Sequence, residues 1–167
     1  MELSDKQLER FDFSGIKAFQ GEFYRSNLHL AIFNNAYLRG ADFNHAELTS
    51  AKLRDCNLRL ACFMRANLQW ADLRNSDLRR ANFSGANLYQ TKTSIKIIQL
   101  GAVGSHKESF AYLPEYDELA YGCCISSLEY FESRLQDYEK DTETYQDYTR
   151  LVAYLKPYKT GTWESWV

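Results

Sequence analysis

Arg39, Arg59 and Arg79 recur at intervals of twenty residues, Arg54 and Arg74 form a shorter series at the same interval, and Arg80 lies beside Arg79. Guanidinium groups held in a column would offer forked donors to carboxylates or phosphates, so their chemistry is capture of an anion or an acidic partner. The other reading is a soluble Arg-rich wall with local ion pairs. Asp42, Asp55 and Asp77 are near enough in sequence to offset part of the repulsion between like charges one strand apart.

Other chemistry is sparse. The three His residues, 29, 45 and 106, are far apart in sequence, and His29 and His45 fall on outward positions. A Cys/His nucleophile pair therefore has no local support. Cys56 occupies an inward small-residue position, Cys62 neighbours Phe63, and Cys123 and Cys124 are adjacent. That pattern gives neither zinc spacing nor a disulfide framework, so the cysteines read as structural, with a reactive Cys62 as the lesser alternative. Gly101-Ala102-Val103-Gly104-Ser105 lacks the Lys and the spacing of a phosphate loop and reads as a turn. Glu129, Glu132, Asp137, Glu139, Asp141 and Glu143 alternate with apolar residues as a solvated helix face does. No catalytic constellation, metal site or cofactor site emerges, and an enzyme is the least favoured reading.

The elements that must hold the arginines follow from a period of five. Positions 23 to 88, taken every fifth residue, are all Leu or Phe, and two residues before each stands Ala, Gly, Ser or Cys. A five-residue step turns an α-helix by about 500°, which would smear these side chains around the cylinder, and in a strand it would alternate faces. A backbone that turns a corner every five residues buries them all. Phe23, Phe43, Phe63 and Phe83 recur every twenty residues among Leu, Phe33 being the one departure, so four corners make one coil. Coils then stack at roughly the inter-strand spacing of 4.8 Å, with the four rings in one column.

The strings Ala66-Asn67-Leu68, Ala71-Asp72-Leu73, Ala81-Asn82-Phe83 and Ala86-Asn87-Leu88 resemble the pentapeptide-repeat family. The resemblance covers about seventy residues and implies a mainly β fold, a right-handed quadrilateral β-helix. Such a solenoid needs closed ends. Residues 1–20 read as an irregular first coil and N-terminal cap, because Ala18 breaks the register and Lys6, Phe11 and Ile16 are not small. The repeat proper is 21–92, and 93–167 reads as a small α+β C-terminal capping module.

In that module Ile95–Leu100, Ser109–Leu113 and Leu119–Cys124 have strand composition, with a turn from Gly101 to Gly104. Ser126-Ser127-Leu128-Glu129 reads as a capping box opening a helix with Leu128, Phe131, Leu135 and Tyr138 on one stripe. A second helix over 143–156 aligns Tyr145, Tyr148, Leu151, Val152 and Leu155, and Pro157 is expected to help end it. The short link predicts an antiparallel helix pair. The tail is weakly similar to those of phage-encoded pentapeptide-repeat proteins. Trp163 and Trp166 would dock on the helix pair or on a dimer partner.

The 167 residues carry a net charge of −2, unevenly placed: 13 Lys and Arg against 10 Asp and Glu through residue 92, then 7 against 12. No apolar run reaches the roughly 20 residues that span a bilayer, and Met1-Glu2-Leu3-Ser4-Asp5 lacks a signal-sequence character, so a cytoplasmic location is expected. The expected function is non-enzymatic binding of a macromolecular partner through the rigid wall, with Arg39, Arg59, Arg79, Arg54 and Arg74 as contact face, and through the acidic module. A homodimer through the C-terminal helices is possible. The family resemblance offers a second reading, modulation or protection of a type II topoisomerase by DNA imitation, against which the mildly basic solenoid counts. Capture of a nucleic acid or of a small anion such as a nucleotide is the third.

Overall fold

The protein is described by a computed structural model over residues 1–103, 108–140 and 142–159, with only the backbone at Ala102. Gly104, Ser105, His106, Asp141, Trp163 and Trp166 lie outside the described residues. The chain divides into two compact units, Met1–Ser94 and Ile95–Val167.

In the first unit every residue whose number is a multiple of five, from Asp5 to Gln90, has a positive φ between 50° and 70°. Each is a left-handed corner, and only Gly15, Gly40 and Gly85 are glycines. L-residues adopt this conformation at a cost of about 1–2 kcal/mol each, so the surroundings must over-determine it. Parallel bridges do so, joining residue i to residue i+20 at every fifth position from Glu2↔Glu22 to Asp72↔Lys92. Twenty residues therefore make one coil of four sides.

Three backbone hydrogen bonds per side tie adjacent coils, as in Phe23 N to Asp42 O (2.8 Å), Arg25 N to Asn44 O (3.0 Å) and Asp42 N to Gly21 O (2.8 Å). A fourth closes the corner, Ala31 N to Leu28 O (3.0 Å). The N–H after most central residues turns to side chains. Asn27 and Asp42 accept it from His29 (3.1 Å) and Asn44 (2.8 Å), while Asn34 and Asn44 accept it from Arg54 (3.1 Å) and Met64 (2.8 Å) one coil on. This need explains the Asn and Asp that precede so many central Leu residues.

Central side chains fill the interior. The rings of Phe23, Phe43, Phe63 and Phe83 stack with centroids 4.8, 5.0 and 5.1 Å apart and planes within 6° of parallel. Phe33 meets Phe23 and Phe43 edge-on at 5.5 and 5.7 Å, and stacks on Phe13 at 4.9 Å. Inward positions that are not Ala or Gly have their polar atoms satisfied: Ser26 and Ser76 donate to Leu3 O and Leu53 O, Thr91 to Leu68 O, and the Cys56 thiol to Phe33 O at 3.0 Å. Gly21 is required by space, since a Cβ there would lie 2.9 Å from the Phe23 ring and 3.1 Å from Ala18.

The first coil corrects the expectation of irregularity. Its bridges, corners and hydrogen bonds keep the period from residue 2 onward, with Leu8 and Ala18 buried at central positions. What departs is its side chains: Lys6 and Phe11, at positions that are small and inward in later coils, face solvent.

The second unit is a four-stranded antiparallel meander, β1 (Ile98–Val103), β2 (Glu108–Leu113), β3 (Glu118–Tyr121) and β4 (Cys124–Ser126), followed by helices α1 (Leu128–Arg134) and α2 (Glu143–Lys159). Ile98 faces Tyr112 and Leu100 faces Phe110, which in turn faces Tyr121. These residues and Leu119 pack with Leu128, Phe131, Leu135, Tyr148, Leu151, Val152 and Leu155 in one core. Tyr138–Tyr148 ring contact, a Glu132–Lys156 ion pair and the approach of Lys159 to Glu129 run in opposite chain directions, so the helices are antiparallel.

Several boundaries differ from the sequence expectations. Strand β1 starts at Ile98 instead of Ile95 because the Glu115 carboxylate takes the Lys96 N–H (2.9 Å), and Gly101 lies within β1, where the register with β2 shifts. The expected strand 119–124 is broken by a turn at Gly122 (φ 50°), which creates β4. Ser127 alone caps α1, accepting from Tyr130 N at 3.0 Å, while Ser126 donates to Ser127 O. Tyr138 is exposed beyond a 3-10 turn. Helix α2 passes through Pro157: in the last turn the missing N–H costs one bond only.

Two stability changes follow. Phe43→Ala should lose about 3–5 kcal/mol in urea unfolding, against less than about 1.5 kcal/mol for Phe43→Leu, the residue used on neighbouring sides. A loss of under 1 kcal/mol for the alanine variant would contradict the ring column. At the exposed corner Leu60 (φ 60°), Leu60→Asn should raise stability by about 0.5–1 kcal/mol, since Asn tolerates the left-handed conformation.

Candidate functional site

The arginines do stack as columns on two adjacent sides of the coil, because each is twenty residues from the next in a chain bridged at that interval. Their electrostatics differ from one end to the other. Arg74 makes a two-pronged contact with Asp72, Nε to Oδ1 at 2.9 Å and an Nη to Oδ2 at 2.7 Å. Arg54 Nε is buried without a hydrogen bond and reaches the same carboxylate only at 3.9 Å. Arg79 holds Asp77 in the same forked way, Nε to Oδ1 at 2.8 Å. Hydrogen bonds from Arg74 and Arg79 hold the Asp72 and Asp77 carboxyls below their ordinary value of 3.8.

Toward lower residue numbers the carboxylates give way to aromatic rings. On the side that carries Arg39, Arg59 and Arg79, the bridged column reads Lys17, Tyr37, Asn57, Asp77. The parallel column reads Phe19, Arg39, Arg59, Arg79. Lys17, Phe19, Tyr37, Arg39 and Asn57 line an open groove of about 240 Å³. Arg39 lies over the Phe19 ring, 5.7 Å from its centroid, and Phe19 and Tyr37 are 60% and 56% exposed. Sequence reasoning missed Lys17, Phe19, Tyr37 and Asn57. The signal was available: one coil back from Arg39 is Phe19.

The other candidates stay apart from this wall. Cys56 is buried, and burial pushes its thiol up to about 11, which suits a packing role. Cys62 is half-buried at a bridging position; Cys123 and Cys124 are exposed in the second unit. His45 meets Tyr24 edge-on at 5.8 Å. Among the described residues no group of three or more His, Cys, Asp or Glu could hold a metal ion, and no helix is long and apolar enough to cross a membrane.

A chain bridged to itself every twenty residues, with a corner every five and an apolar residue at each centre, is a repeat coil. Residues 26–101 match the family described as pentapeptide repeat region, for which a right-handed β-helix is implied. Among solved structures it is similar to the pentapeptide repeat protein Rfr23 from the cyanobacterium Cyanothece 51142, at 34% identity and a TM-score of 0.49, over 49% of this chain and 56% of that one. It is also similar to alr5209 from Nostoc Pcc 7120, at 21% identity and a TM-score of 0.41, over 56% of this chain and 84% of that one. A third likeness is to QnrB1, a plasmid-mediated fluoroquinolone resistance protein, at 20% identity and a TM-score of 0.21, over 50% and 55% of the two chains. The chain thus spans just over half the length of the first of these. With TM-scores below 0.5, these likenesses add nothing on partner or activity. No curated protein matches the chain. The likeness of the tail to phage-encoded members finds no support in these matches.

The depressed carboxyls give a pH signature. A group whose folded pKa lies below its unfolded one stabilises above the unfolded value and loses that contribution as pH falls through the folded value. The double variant Asp72→Asn, Asp77→Asn should therefore show a shallower loss of stability between about pH 5 and pH 3 than the parent, measured by urea unfolding. Parallel profiles would show that these ion pairs do not form in solution.

Proposed function

We propose that the protein is a non-enzymatic binding protein that engages an acidic, aromatic-bearing protein segment through the wall formed by Lys17, Phe19, Tyr37, Arg39, Asn57 and Arg59. The observation that carries this is the exposed pair of rings, Phe19 and Tyr37, beside Arg39 on a groove that also holds Lys17. Exposed rings next to guanidinium groups are the residue types that dominate binding energy at protein interfaces. The three inter-coil hydrogen bonds of each side and the one that closes its corner hold the array in advance, which lowers the ordering cost of association. Arg74 and Arg79 are tied to Asp72 and Asp77, so they serve the reading less than Arg39 and Arg59, and Arg54 sits beside the shared Asp72 carboxylate.

The test is affinity capture from a lysate followed by identification and direct binding at two salt concentrations. Arg39→Glu with Arg59→Glu should abolish capture of the protein partner while the circular dichroism spectrum is kept, and Arg74→Glu should reduce it little. Unchanged capture by the double variant would remove the wall from the reading. Recovery of nucleic acid alone, with affinity falling steeply with salt, would transfer the wall to phosphate contacts instead.

A further inference from the structure

The second unit contains an open cavity of about 390 Å³ lined by Tyr121, Tyr130, Phe131, Arg134, Asp137 and Tyr138. Its size falls in the range of small-molecule clefts, roughly 300–1,000 Å³. Tyr121 and Phe131 meet edge-to-face at 5.1 Å and belong to the sheet and helix core, so they make a fixed base. Tyr130 and Tyr138 leave 56% and 41% of their surface exposed beside it. Tyr138 is held by an edge contact with the buried Tyr148 at 5.5 Å. Arg134 and Asp137 complete the lining and pair with each other at 2.7 Å.

That ion pair is exposed, 59% and 44% at its two side chains, and exposed pairs hold only weakly. It opens at little cost to a ligand that replaces both halves. A ligand bearing one charge would satisfy one partner and leave the other facing a like charge or nothing. A ligand with an anionic and a cationic group one carbon apart meets both, its carboxylate accepting from the Arg134 guanidinium and its ammonium donating to Asp137. The rings around the cavity favour a flat apolar side chain through offset and edge-to-face contacts.

We propose that this cavity binds a free aromatic α-amino acid, with Arg134 and Asp137 reading the two charges and Tyr121, Tyr130, Phe131 and Tyr138 taking the ring. The proposal is independent of the repeat wall, which lies in the other unit.

Titration calorimetry of the full chain tests it with L-phenylalanine and L-tryptophan against 2-phenylethylamine and 3-phenylpropionate, which each keep one charge. Saturable binding of an amino acid is expected, with the single-charge analogues at least about tenfold weaker. Arg134→Ala and Asp137→Asn should each weaken it about tenfold with an unaltered circular dichroism spectrum. No binding of either amino acid, equal binding of one analogue, or unaffected variants would overturn the proposal. Should a variant fail to fold, the ligand series on the parent protein decides by itself.

Discussion

Every feature of the first unit depends on the left-handed residue that recurs at each fifth position. It turns the chain through a corner and so places residue i+20 over residue i. Most of these corners are occupied by side chains that prefer other conformations, including Leu30, Leu60 and Trp70. The strain persists because three inter-coil hydrogen bonds and one buried Leu or Phe per side are lost if a corner relaxes. Nearest-neighbour cooperation of this kind makes each coil the template for the next.

The same constraint governs the surface. Stacking identical positions puts like residues one strand apart, which is favourable for rings and amides and unfavourable for charge. Glu2, Glu22 and Asp42 share one bridged column, and the Glu22 carboxyl is pushed up by its hydrogen bond to Glu2 and by the charge of that neighbour. The arginine columns avoid that outcome sideways: the residue two before Arg74 is Asp72 and the residue two before Arg79 is Asp77. Before Arg39 the same place holds Tyr37, and one coil back stands Phe19. Cation–π contact replaces ion pairing there, leaving the guanidinium without a carboxylate among the described residues.

The coil was legible because its signal is redundant. Fourteen central positions and their small companions repeat one statement, and the Phe phase fixes four corners per turn. In the first coil side-chain size departs from the pattern, whereas the period is enforced by the backbone and survives Phe11 and Ile16 at small positions. In the second unit no position is repeated, so single events decide boundaries. The Glu115 carboxylate delays β1, Gly122 divides a strand, and Pro157 is absorbed by the last turn of α2. The aromatic groove escaped notice since it spans the boundary drawn at residue 20, and the cavity of the second unit joins residues from β3, α1 and the 3-10 turn whose adjacency no local pattern announces.

Asp117 shows how the second unit gains its order without a ladder. It too is left-handed, with φ of 51°, ending the 3-10 turn between β2 and β3. That conformation aims one carboxylate at three elements. Oδ1 accepts from the Tyr112 hydroxyl at 3.0 Å and from the Leu128 N–H at 3.3 Å, while Oδ2 pairs with Lys159 at 2.9 Å. Asn would tolerate the same backbone and keep one acceptor, yet it would present an amide donor to a lysine. The strained residue is tolerated because sheet, first helix and the end of the second helix all register on its two oxygens. In the first unit strain is held by repetition; in the second it is held by one convergent charge.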